Sequence, residues 1–96
     1  MKKHPTKTRK ELLSQVMNEK PNLYLGKNGK TIQFINELLR CFGNREIVKI
    51  KIQKRDGSRE AKKQLVNEIA TEVEAELVDY RGRTFILYKP FEEKSK

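Results

Sequence analysis

The sequence predicts a single α/β domain in the order α-β-α-β-α-β-β, with helices packed on a four-stranded mixed sheet. Three observations predict it. The chain has 96 residues, enough for one domain. Its apolar spacing switches repeatedly between the helical period and two-residue alternation. Its last two extended segments are separated only by the region around Arg81-Gly82, which reads as a hairpin. The strand–helix–strand units imply parallel neighbours with right-handed crossovers, and the hairpin adds an antiparallel pair. Residues 1–7 read as a basic flexible arm, 8–90 as the domain and 91–96 as a frayed tail.

The elements follow in order. Thr8 and Glu11 have capping-box spacing, and Leu12, Leu13, Val16 and Met17 then share a face. Pro21 stops this first helix near Asn18 and Glu19. A short extended stretch, Asn22-Leu23-Tyr24-Leu25, leads into Gly26-Lys27-Asn28-Gly29-Lys30-Thr31. Thr31 is the expected N-cap of a second helix whose apolar positions are Ile32, Phe34, Ile35, Leu38, Leu39 and Phe42, with Gly43-Asn44 as a left-handed stop. From 46 to 53 the chain alternates, Val48, Ile50 and Ile52 against Lys49, Lys51 and Gln53. Asp56-Gly57-Ser58 turns into a third helix, about 59–71, burying Ala61, Leu65, Val66, Ile69 and Ala70. Strands over 76–80 and 83–89 complete the order.

Composition narrows the function classes. Leu, Ile, Val and Phe number 25, enough for a modest core, although charged residues make up 36% of the chain. No apolar run approaches the ~18 residues of a membrane helix, and no signal peptide is legible, so a soluble, cytoplasmic protein is expected. The lone Cys41 and lone His4 exclude an intramolecular disulfide and a histidine ligand cluster. Nothing pairs them as nucleophile and base, so no enzyme activity, metal, cofactor or small-molecule substrate is expected.

The net charge is +9. Residues 64–80 hold five acids (Glu68, Glu72, Glu74, Glu76, Asp79) and no Lys or Arg, whereas residues 1–63 hold 17 basic groups against six acidic ones. This asymmetry suggests a polyanion partner and a defined binding face. Glu68 and Glu72 lie one helical turn apart without a third ligand. They read as a solvated helix surface turned away from that partner.

Residues 26–31 are the most informative segment. Gly29-Lys30-Thr31 looks like the end of a P-loop, but that motif requires glycine at position 24, where Tyr24 stands. A two-residue spacer between glycines suits a different role. The backbone can approach a nucleic acid strand closely, and the first amides of the following helix can donate to phosphate oxygens. Lys27 and Lys30 add charge there, and the segment resembles in kind the glycine loop by which KH domains clamp the RNA backbone. An ordinary turn, with Asn28-Gly29 merely supplying positive φ, fits equally.

Three stretches in this order resemble the CRM domains (chloroplast RNA splicing and ribosome maturation), including the stand-alone YhbY-like prokaryotic proteins. They are Leu25-Gly26-Lys27-Asn28-Gly29, Ile47-Val48-Lys49-Ile50-Lys51-Ile52 and Gly82-Arg83-Thr84-Phe85-Ile86-Leu87-Tyr88-Lys89. The resemblance runs from about Thr8 to Lys89. It implies an open α/β fold like the C-terminal domain of the third bacterial translation initiation factor. It also implies RNA binding through the glycine loop, carried here by Gly26, Lys27, Asn28 and Gly29, and a role in large-subunit ribosome assembly or organellar splicing. The family's closing strand commonly ends Tyr-Arg; here it ends Tyr88-Lys89, and lysine lacks arginine's bidentate fork.

Lys49, Lys51, Arg81, Arg83 and Lys89 are candidates for further phosphate contacts; a solvated sheet face or hairpin is the alternative for the first four. Tyr24, Tyr80 and Tyr88 could stack bases, although strand tyrosines are more often structural. The expected partner is structured RNA, above all precursor ribosomal RNA or ribosomal particles. The competing reading is an architectural protein that coats DNA or RNA without preference.

Overall fold

The computed structural model describes residues 9–26, 28–53 and 58–91. It contains α1 (Arg9–Met17), β1 (Leu23–Leu25), α2 (Ile32–Asn44), β2 (Ile47–Ile52), α3 (Arg59–Glu72), β3 (Glu76–Arg81) and β4 (Thr84–Tyr88). The four strands form one mixed sheet in the order β1-β2-β4-β3.

β1 and β2 pair in parallel, as the strand–helix–strand unit requires. β2 and β3 do not become neighbours. The hairpin's second strand, β4, inserts between them and runs antiparallel to both. The register explains the choice. Val48 meets Leu87 and Ile50 meets Phe85, so apolar side chains match across the buried face. β3 is left as an edge strand, with a register shift between Leu77 and Asp79.

The sheet is covered on both faces, unequally. Val48, Ile50 and Ile52 from β2, Phe85 and Leu87 from β4, and Leu25 from β1 pack against Phe34, Ile35, Leu38 and Phe42 of α2 and Val66, Ile69 and Ala70 of α3. Burying each large side chain of this core contributes about 1.5–3 kcal/mol. On the opposite face, among the described residues, α1 covers one end, where Val16 meets Ile47 and Ile86, flanked by Leu12, Leu13, Val78 and Tyr88. The polar face of β2 is therefore half covered.

Several local expectations are corrected. Ile32 is 80% exposed and Leu39 41%, because both sit at the margins of a stripe centred on Leu38. Ala61 of α3 is exposed. Gly43-Asn44 is not a left-handed stop: α2 continues through both and ends at Arg45, whose extended backbone leads straight into β2. The left-handed stop belongs to α3 instead, at Glu74 (φ 59). There the Ala75 N–H donates to Ala70 O at 2.9 Å and the Glu74 N–H to Thr71 O at 3.1 Å, the paired bonds of a Schellman motif.

Phe91 is not frayed. Its N–H donates to Oε2 of Glu46 at 2.9 Å, and Glu46 is buried. The expected N-cap Thr8, the turn residues Asp56 and Gly57, the basic arm and residues 92–96 lie outside the described residues. Ser58 does cap α3, its Oγ accepting from the Ala61 N–H at 3.0 Å.

Candidate functional site

Topology gathers the glycine loop, Lys51 and the hairpin arginines at one end of the sheet. β1 and β2 finish there, α2 and α3 begin there, and the β3–β4 turn returns there. The Gln53 N–H donates to Leu25 O at 2.9 Å and the Ile52 N–H to Arg83 O at 2.7 Å. The end of β2 thus ties the glycine loop on one side to the hairpin on the other. The carboxyl ends of strands are where open α/β sheets place their ligand sites.

The glycine loop is a closed turn followed by an open helix start. The Gly29 N–H donates to Gly26 O at 3.1 Å, and Gly29 lies at φ +74, a conformation that favours glycine. Gly26 has no such constraint, and a Cβ there would meet nothing within 4 Å. Oγ1 of Thr31 accepts from the Phe34 N–H at 3.0 Å and caps α2. The amides of Lys30, Ile32 and Gln33 donate to no described residue. They lie at the positive end of the dipole of a 13-residue helix. Asn28 is exposed beside them, and Lys27 lies outside the described residues.

Lys30 is not a free cation. Its Nζ bonds Oε1 of Glu72 at 2.8 Å, and this hydrogen bond, reinforced by the charges of Glu72 and Glu68, raises its pKa above the ordinary lysine value. The acidic helix surface expected to turn away from the polyanion partner lies beside this loop. The α3 side bearing Glu60, Glu68 and Glu72 lines a shallow groove shared with Lys30.

The other candidates divide. Nζ of Lys49 donates to the carbonyls of Met17 (3.2 Å) and Glu19 (2.8 Å), closing the end of α1, so its polar-face position serves the fold. Lys51 is exposed on the same face beyond the reach of α1. It stands in a row across all four strands with Tyr24, Thr84 and Arg81. Tyr24 is 48% exposed, unlike Tyr80, which packs edge-on against Phe85 with ring centroids 6.4 Å apart, and half-buried Tyr88. Arg81 and Arg83 separate onto opposite faces: Arg81 pairs with Asp79 at 3.4 Å on the α1 side, and Arg83 lines a cleft against α3. Lys89 follows Tyr88, which pairs with Ile47 at the start of β2. The five residues of β4, at ~3.3 Å each, set it about 16 Å from the glycine-loop end.

Sequence reasoning misses Arg59, Lys62 and Lys63. They converge with Arg83 on the cleft beside the hairpin. Their spacing of three and four residues on one helix face is the signal that could have found them. Cys41 packs against the main core, and burial pushes its thiol pKa up, which keeps it protonated and unreactive.

Residues 5–89 match the model of the CRS1/YhbY (CRM) domain. The chain belongs to this family. A Haemophilus influenzae relative named RNA-binding protein is 32% identical over 88 residues, covering 92% of this chain and 87% of its own length. The fold of this CRM domain is similar to the solution structure of a Staphylococcus aureus protein, with a TM-score of 0.72 and 24% identity, covering 90% of this chain and 88% of that one. That likeness shows the same fold in a protein of low sequence identity.

Proposed function

We propose that this CRM domain is a non-catalytic RNA-binding protein that holds structured RNA, foremost precursor ribosomal RNA, and assists large-subunit assembly in the cytoplasm. The observation that carries the reading is the glycine loop at the start of α2. Its turn is closed by its own Gly29–Gly26 hydrogen bond, while the amides of Lys30, Ile32 and Gln33 donate to no described residue. Amides fixed in this way hold phosphate oxygens without reading bases, and the net charge of +9 supplies long-range attraction. Lys51, Arg81 and Arg83 extend the basic surface at the same sheet end. The name of the Haemophilus influenzae relative supports RNA as the partner.

Crosslinking the protein to nucleic acid in its own cells, followed by sequencing, tests the reading. Reads concentrated on large-subunit ribosomal RNA, enriched in unprocessed ends, are expected. Reads spread over DNA and all abundant RNAs would make a nonspecific coating protein the better account.

A further inference from the structure

We propose that the cleft between the first turns of α3 and the β3–β4 hairpin is a second RNA-backbone site, distinct from the glycine loop; this rests on the RNA-binding reading above. The cleft holds about 730 Å³ and is lined by Arg59, Lys62, Lys63, Leu77, Tyr80, Gly82 and Arg83. Four of those seven residues are cationic and none is acidic. None of the four forms an ion pair with a described residue, whereas Lys30, Arg45 and Arg81 each have a carboxylate partner. Like charges brought together without compensating acids repel one another, and a polyanion relieves that repulsion. Two of the four are arginines, whose planar forks suit phosphate, and Tyr80 adds an aromatic wall held in place by Phe85.

The cleft is separated from the glycine loop by the opposite side of the same helix. Glu60, Glu68 and Glu72 line, together with Lys30, the groove on that other side of α3, with Lys63 at the border of the two surfaces. A phosphate chain cannot cross three carboxylates without cost. The two sites therefore engage separate stretches of backbone, as two strands of a folded RNA would present them. Arg81 and Arg83, close together in the hairpin but on opposite faces, assign only Arg83 to this cleft.

The test uses the full chain and a fluorescein-labelled structured fragment of large-subunit ribosomal RNA, titrated by anisotropy across a series of KCl concentrations. The triple variant Arg59→Gln, Lys62→Gln, Arg83→Gln is expected to bind about tenfold more weakly at the lowest salt. Its log affinity against log salt should be flatter by about 2 units, the loss of three phosphate contacts at ~0.7 each. Binding by the triple variant with the affinity and slope of the unmodified protein would overturn the cleft while leaving the glycine-loop reading intact. Absence of any RNA binding by the unmodified protein would overturn both readings. Equal losses on a duplex DNA of the same length would make the cleft a general polyanion surface and overturn its assignment to RNA. Because altered folding could mimic the effect, amide shifts of the unmodified protein on RNA addition provide a second measurement. Shifts at Lys62, Lys63 and Arg83 as well as in the loop are expected; shifts confined to the loop would overturn the proposal.

Discussion

Lys30 and Glu72, 42 residues apart in sequence, meet at 2.8 Å and join the glycine loop to the end of α3. The pair places a carboxylate directly beside the loop proposed to hold phosphate. Glu72→Gln removes that charge and frees the lysine. RNA affinity at low salt should tighten by about three- to tenfold, with a steeper salt dependence, and thermal stability should change little, since exposed ion pairs contribute little to folding. Anisotropy titrations and a melting curve check both parts. An unchanged affinity would place the RNA away from Lys30.

Gly26 and Gly29 separate close approach from backbone conformation. Gly29→Ala forces a side chain into φ +74 and should cost about 1–2 kcal/mol in denaturant unfolding. Gly26→Ala meets no such strain and no neighbouring atom, and should cost under about 0.5 kcal/mol. If RNA backbone packs against the loop, Gly26→Ala loses affinity without losing stability. Full affinity in that variant would mean that the motif is only a turn.

Lys49 and Lys51 look equivalent in sequence and are opposed in structure. Lys49→Met removes the amine that closes α1 and should destabilise the fold by about 1–2 kcal/mol. Lys51→Gln should leave unfolding unchanged and flatten the salt dependence of RNA binding by about 0.7. Reversal of the two phenotypes would move the RNA contact from Lys51 to Lys49.

Glu74 is a left-handed residue without glycine's freedom. Glu74→Gly should raise stability by about 0.5–1 kcal/mol, several degrees in melting temperature for a domain of this size. A loss of stability would mean that the Glu74 side chain contributes an interaction worth more than the strain it imposes.

Much of the fold is legible in the sequence because its signals are local. Phe34, Ile35, Leu38 and Phe42 recur at helical spacing, Val48, Ile50 and Ile52 alternate, and Thr31 caps the helix that follows it. The errors fall where local signals compete. Gly43-Asn44 resembles a helix stop, yet α2 runs through both and is capped by Arg45, whose N–H donates to Cys41 O at 3.0 Å. Ile32 fits the apolar stripe, but at the first helical turn it stays exposed at the margin of the core.

The site divides along the same line. The glycine spacing, the cap that follows it and the basic excess are properties of neighbouring residues. They are enough to propose an anion-binding loop at the start of α2 and a polyanion partner. Which charges share a surface depends on contacts between residues distant in the chain, and the primary structure carries no record of those. Folding inserted β4 beside β2, closed α1 with Lys49 and set Glu72 against Lys30. It also sent Arg83 to join Arg59, Lys62 and Lys63 while sending Arg81 to the other face. The physical reason is range. Helix and strand periodicity act over a few residues, whereas an ion pair or a basic cleft exists only once burial of the core has fixed which surfaces remain outside.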